Sequence, residues 1–158
     1  MKEESPKEIR HVALDLLARR EHSRLELKQK FLLRDFSEEE IENILEILAK
    51  ENLQSDERFA ENYIRSRVSR GFGPIYIKND LRYRGVSAEI IKESLEAQNI
   101  DWPALAKAVW QKKYGRSASK NPQDKIKQMN FLRQRGFGGE QIRNIFSTDI
   151  DSLNPQRL

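Results

Sequence analysis

Three segments of this 158-residue chain can be laid over one another without a gap. They are "LELKQKFLLRDFSEEEIENIL" (25–45), "IYIKNDLRYRGVSAEIIKESL" (75–95) and "IKQMNFLRQRGFGGEQIRNIF" (126–146). The offsets of 50 and 51 residues align Leu25, Ile75 and Ile126; Phe31, Leu81 and Leu132; Arg34, Arg84 and Arg135; Phe36, Val86 and Phe137; Ile41, Ile91 and Ile142; and Leu45, Leu95 and Phe146. So constant a period restricts the fold to tandem units, each too small to bury its apolar face alone. Tetratricopeptide and ankyrin periods are shorter and do not fit.

Capping signals set the content of each unit. Ser5 with Glu8, Ser23 with Glu26 and Ser37 with Glu40 have capping-box spacing. Ser55, Gly73-Pro74, Ser87, Asp101, Asn121-Pro122 and Gly138-Gly139 add six further helix starts. The apolar spacing between them is helical, as in Phe59, Ala60, Tyr63, Ile64 and Val68, and no alternating strand pattern competes. The sequence predicts an all-α protein of nine helices, near 6–20, 24–35, 38–50, 56–70, 74–84, 88–97, 102–114, 122–135 and 139–147. They form three tandem three-helix, helix-turn-helix-like repeats at 5–52, 53–99 and 100–148, followed by a flexible tail, 149–158. "GRSASKN" (115–121) reads as a polar loop.

A 37% hydrophobic share against 34% charged residues is lean for a compact globule and suits an extended helical array. The chain has no cysteine and only His11 and His22, so neither disulfides nor a zinc site is expected, and no cofactor is implied. "MKEESPKEIRH" has no apolar signal region and no stretch reaches membrane-span length, which points to the cytoplasm.

Charge is graded along the chain. Residues 1–55 hold 10 basic and 13 acidic side chains, residues 56–97 hold 8 and 7, and residues 98–158 hold 11 and 5. An acidic partner would suit the basic end, although lysine-rich helices are also often simply solvated. No catalytic constellation is present: the motifs of nucleophilic and phosphate-binding enzymes are missing, and Glu38–Glu40 and Asp56-Glu57 are first-turn acids that complement helix dipoles. An enzyme is not expected. Base reading by a helix-turn-helix is also disfavoured, because the helix after the turn begins Glu38, Glu39, Glu40 in the first repeat and carries Glu89, Glu93 and Glu96 in the second.

Candidate binding residues therefore lie on the first and second helices of the last two repeats. They are Arg67, Arg70, Lys78 and Arg82, then Lys112, Lys113, Lys127 and Arg133, with Phe72 and Tyr76 as exposed aromatics able to stack on bases or anchor a protein. Lys78 and Arg82 are four apart and share a helix face. The competing assignments are that Arg67 and Arg70 offset a helix dipole, that the lysines are solvated, and that the two rings cover a helix junction. Gly71, Gly73 and Pro74 set a turn. Gly85 and Gly136 suit left-handed helix ends, with Asp35 as the exception, and the recurring Arg34, Arg84 and Arg135 are expected to bond last-turn carbonyls or the neighbouring repeat.

At the level of whole segments, "ALDLLARREHSRLELKQKFLLRDF", "SDERFAENYIRSRVSRGFGPIYIKNDLRYRGV" and "DKIKQMNFLRQRGF" resemble the three repeats of the bacterial RecX proteins, over about residues 11–147. The middle repeat is the most specific, with Asp56, Phe59, Ala60, Tyr63, Arg67, Gly71, Gly73, Pro74, Ile77, Leu81, Gly85 and Val86 at family-like positions. The resemblance implies an elongated, curved helical body that binds the RecA recombinase filament on single-stranded DNA. It further implies suppression of ATP hydrolysis, coprotease activity and strand exchange, and hence a role in recombination, DNA repair and the SOS response. DNA, single- or double-stranded, is an implied second partner; a monomer and no membrane association are expected. Two other classes stay open on the residues alone, a general nucleic-acid-binding helical repeat and a protein-only helical adaptor.

Overall fold

The computed structural model describes residues 6–115 and 121–152. Among these residues there are nine helices and no strands: α1 (Pro6–Arg19), α2 (Arg24–Leu33), α3 (Glu38–Lys50), α4 (Asp56–Ser69), α5 (Pro74–Tyr83), α6 (Ala88–Gln98), α7 (Trp102–Tyr114), α8 (Pro122–Gln134) and α9 (Gly139–Ser152). From α2 onward each start matches its capping signal. Ser23 and Glu26 form a reciprocal capping box, Ser37 accepts from the Glu40 N–H, and Asp101 and Asn121 accept from Ala104 and Gln123. Ser5 lies outside the described residues, as do 116–120 of the polar loop. The ninth helix runs to Ser152, five residues past its expected end at 147; the remainder of the tail, 153–158, is outside the described residues.

The repeat's most constant feature is the way its second helix ends. The N–H groups of Phe36, Val86 and Phe137 donate to the carbonyls of Phe31, Leu81 and Leu132, and those of Asp35, Gly85 and Gly136 to Leu32, Arg82 and Arg133. This is the paired bonding of a Schellman end, in which one residue takes a left-handed conformation. Asp35, Gly85 and Gly136 hold that place with φ of 63°, 87° and 95°. The aligned apolar pairs follow from it, because this motif brings the residue beyond the turn back onto the last helical turn. In the first repeat Phe31 and Phe36 meet edge to face at 6.1 Å.

The chain resolves into two compact units. The first comprises residues 1–63 with 81–97, and its core is built by Ile9, Ala13 and Leu16 of α1, Leu27 and Phe31 of α2, and Ile41, Ile44, Leu45 and Leu48 of α3. The second comprises residues 64–80 with 98–158 and centres on Ala106 and Trp110 of α7, Leu132 of α8, Phe137, and Ile142, Ile145 and Phe146 of α9. Trp110 packs its ring edge to face with Phe146 and donates its indole N–H to Gln128 at 2.8 Å, so both buried polar groups are satisfied.

One alignment column departs from the sequence reading. Ile75 and Ile126 were aligned with Leu25 as an apolar position, but they are 49% and 58% exposed. Two residues further on, Leu27 and Ile77 are fully buried and Gln128 nearly so. The inward column is 27, 77 and 128, and the glutamine that Trp110 requires there disguised it.

Repeat junctions and a basic groove

Junctions between successive repeats use equivalent positions and the same acceptor carbonyl, with a side-chain donor in one and a backbone donor in the other. In the first unit the Ser23 hydroxyl donates to the Arg84 carbonyl at 2.7 Å, and in the second the Gly73 N–H donates to the Arg135 carbonyl at 2.7 Å. Positions 23 and 73 differ by one repeat offset, as do 84 and 135. Around Ser23, Arg84 Nη1 donates to Glu26 at 2.6 Å while its guanidinium lies 5.3 Å from the Tyr63 ring centre. Arg58 donates to Glu21 and to the carbonyls of Asn52 and Leu53, and Asp56 accepts from the Arg24 N–H and from Gln54. Burial raises the Glu26 carboxyl, but hydrogen bonds from Arg20 and the Ser23 N–H, with the charges of Arg20 and Arg84, outweigh it and hold the group below its ordinary value. His22, buried beside them, is pushed below its ordinary value by burial and then by the Arg20 charge.

Gly73 and Gly136 meet through their backbones. A Cβ on Gly73 would stand 2.5 Å from the Gly136 carbonyl carbon, and one on Gly136 would overlap Tyr76. Pro74 is buried directly after this contact. Gly85 similarly faces Leu25, where a Cβ would lie 2.6 Å from the leucine Cβ.

The two units differ in charge more sharply than successive stretches of the chain do. The first has 14 basic and 19 acidic side chains, the second 15 and 6. In the first, cations are matched by acids: Arg10 with Glu51, Arg20 and Arg84 with Glu26, Arg24 with Glu42 and Glu46, Lys28 with Glu42.

In the second unit cations sit against aromatic rings. Arg135 is 5.0 Å from the Phe72 ring centre and 5.5 Å from that of Phe131, and Lys113 is 4.0 Å from Phe131. Arg67 stands 5.7 Å from Phe72 on the same cluster, and Arg135 also donates to the Arg70 carbonyl at 3.1 Å. Phe72 and Tyr76 are half-buried rather than exposed, stacked on each other at 4.4 Å and 21°. Their apolar faces are used inside the protein, in line with the junction-covering alternative.

Beside this cluster the end of α4 and helices α7 and α8 enclose a groove of about 430 Å³. Leu105, Val109 and Phe131 line its apolar floor, and Arg70, Lys112, Lys113 and Arg135 its rim. Gly71, at φ +82°, lets the chain pass Val109, whose Cγ2 would lie 2.8 Å from an added Cβ. Of the sequence-derived candidates, the groove brings together Arg70, Lys112 and Lys113. Lys78 is exposed on α5 of the second unit, whereas Arg82 falls in the first. Lys127 and Arg133 are exposed on α8 away from the groove lining, with Arg133 donating to Asn130. Sequence reasoning passed over Phe131 and Tyr114; the available signal was the four-residue spacing of Phe131 and Arg135 on one helix. Among the described residues no acidic or histidine cluster could hold a metal, and no helix is long and apolar enough to cross a membrane.

Comparison with known proteins matches three consecutive family models: "RecX, first three-helix domain" at residues 10–48, "RecX, second three-helix domain" at 55–95 and "RecX, third three-helix domain" at 101–146. "Regulatory protein RecX" of Halorhodospira halophila is 44% identical over 85% of this chain and 84% of its own. The protein of the same name from Pseudomonas entomophila is 40% identical over 91% and 93%. The crystal structure of RecX from Lactobacillus salivarius superposes with a TM-score of 0.77 at 23% identity, covering 90% of this chain and 95% of that one, a likeness of fold. With all three of its domains matched in order, the chain belongs to the RecX family.

Proposed function

We propose that this protein regulates the RecA recombinase by binding its filament on single-stranded DNA and inhibiting ATP hydrolysis, coprotease activity and strand exchange, thereby modulating recombination, repair and the SOS response. The observation that carries this reading is the close match along most of the chain to relatives named "Regulatory protein RecX". In this reading three domains, 5–52, 53–99 and 100–148, act as one cytoplasmic monomer that performs no chemistry of its own. A protein of that kind changes its partner only through differential affinity: it must bind the less active filament state more tightly than the active one.

The charge of the second unit supports the partner's chemistry. Fifteen cations against six acids suit a surface that carries phosphate or acidic side chains, and they accelerate docking without reading base sequence. Arg67, Arg70, Lys78, Arg82, Lys112, Lys113, Lys127 and Arg133 are the proposed contacts to filament or DNA.

The test is ATP hydrolysis by RecA on single-stranded DNA with this protein titrated in, alongside binding to RecA alone, DNA alone and the assembled filament. Inhibition with preferential filament binding is expected. Tight binding to bare DNA without inhibition would make the protein a general nucleic-acid binder, and the reading would be wrong.

A further inference from the structure

The groove between the end of α4, α7 and α8 is chemically two-sided. Leu105, Val109 and Phe131 form an apolar floor, and its rim carries Arg70, Lys112, Lys113 and Arg135 with no acid among the lining residues. Its volume, about 430 Å³, falls at the small end of ligand-pocket sizes. Arg70, Lys112 and Lys113 are exposed, while Arg135 is half-buried and oriented by its bond to the Arg70 carbonyl.

A single strand of nucleic acid is held by a charged track with ring faces on which bases stack. Here the nearby rings are already used. Phe72 carries Tyr76 at 4.4 Å and Arg135 at 5.0 Å, and Phe131 carries Lys113 at 4.0 Å and Arg135 at 5.5 Å. Tyr114 adds its contact with Phe131 at 5.7 Å, edge to face. What the groove offers a ligand is therefore an apolar patch whose one ring already carries cations, bordered by positive charge. An apolar side chain flanked by carboxylates satisfies both features, whereas a phosphodiester backbone satisfies only the second.

We propose that this groove is a docking site for an acidic peptide segment of a protein partner, with one bulky apolar side chain seated against Leu105, Val109 and Phe131 and neighbouring carboxylates met by Arg70, Lys112, Lys113 and Arg135. The inference deepens the reading of the protein as a regulator that engages a protein partner and rests on it. Rim charge steers the segment in, and the buried anchor sets the residence time.

The experiment uses the full chain and a fluorescent synthetic peptide in which Asp and Glu flank a Leu-Phe pair, with anisotropy as the readout. A second peptide replaces Leu-Phe by Ser-Ser, and an unlabelled thymidine oligonucleotide serves as competitor. The first peptide should bind and resist displacement by the oligonucleotide. Removing its anchor, or combining Arg70→Glu with Lys112→Glu, should weaken binding about tenfold or more. Val109→Trp, which fills the floor, should abolish it. If that variant does not fold by circular dichroism, the Arg70 and Lys112 pair decides, since both side chains are exposed. Absence of peptide binding, equal binding by the doubly charge-reversed variant, equal affinity for the anchorless peptide, or competitive displacement by the oligonucleotide would each overturn the assignment. No recombinase is present in this assay, so a protein that inhibits RecA but ignores the peptide refutes only the groove. A protein that binds the peptide but leaves RecA unaffected refutes only the proposed function.

Discussion

The Ser23 hydroxyl donates to the Arg84 carbonyl across 61 residues of sequence, at 2.7 Å, while its oxygen accepts from the Glu26 N–H at 3.1 Å. One side chain thus caps the start of α2 and ties it to the end of α5 in the middle repeat. Ser23 is fully buried, so both bonds are shielded from water.

Ser23→Ala should destabilise the protein by about 2–3 kcal/mol, the sum of a lost cap and an unpaired carbonyl. Urea denaturation checks it. A loss below about 0.5 kcal/mol would mean that the bond to Arg84 contributes nothing.

Gly136→Ala and Gly115→Ala form a pair that separates backbone strain from crowding. Both glycines have positive φ, 95° and 85°, but a Cβ on Gly136 meets Tyr76, whereas among the described residues nothing lies within 4 Å of one on Gly115. Gly115→Ala should cost about 1–3 kcal/mol, because its ψ of −166° puts it in a backbone region essentially reserved for glycine, and Gly136→Ala should cost more than backbone strain alone, because the Tyr76 atoms nearest its Cβ include backbone that a rotamer change cannot move. Equal losses in thermal unfolding would show that the close approach to Tyr76 is not maintained.

Stability should fall on acidification in two windows. His22 is held below its ordinary value of 6.5 by burial and by the Arg20 charge, assisted by Lys30 and opposed by its bond to the Arg20 carbonyl and by Glu26. Its folded state resists protonation while the unfolded chain accepts it, so stability is full above about 6.5 and declines as pH falls toward the folded-state value. Glu26, lowered from 4.5, adds a second loss below about 4.5. Denaturation midpoints measured across this range should fall in both windows, and His22→Asn should flatten only the upper one.

The basic surface can be tested with cations that make no cation–ring contact. Arg67 is unsuitable because it is half-buried against Phe72, and Lys113 because it lies over Phe131. Replacing the exposed Arg70, Lys78 and Lys112 by Gln should change stability by no more than about 0.5 kcal/mol each, yet it should remove most inhibition of RecA ATP hydrolysis. The control is Glu89, Glu93 and Glu96 to Gln on α6, exposed acids of the first unit. Glu42 and Glu46 would be poor controls, since they hold Arg24 and Lys28. Equal inhibition by the basic variant and the original protein would leave these cations as solvated charge.

The repeat and its helices were legible in the sequence because both depend on interactions between near neighbours. Capping boxes act over three residues, apolar faces recur over three or four, and the Schellman end links residues five apart, so Phe31 with Phe36, Leu81 with Val86 and Leu132 with Phe137 announce it locally. The groove was not legible in this way. Arg70, Val109, Lys113 and Phe131 come from three separate helices, and nothing in their spacing says that Gly71 lets α4 end against Val109 or that Arg135 lies between Phe72 and Phe131. Charge showed a similar division. The sequence alone determined that the later part of the chain is basic. Only the tertiary structure assigned 64–80 to the same unit as 98–158 and matched the first unit's cations with acids, because ion pairs and ring contacts depend on distance in space.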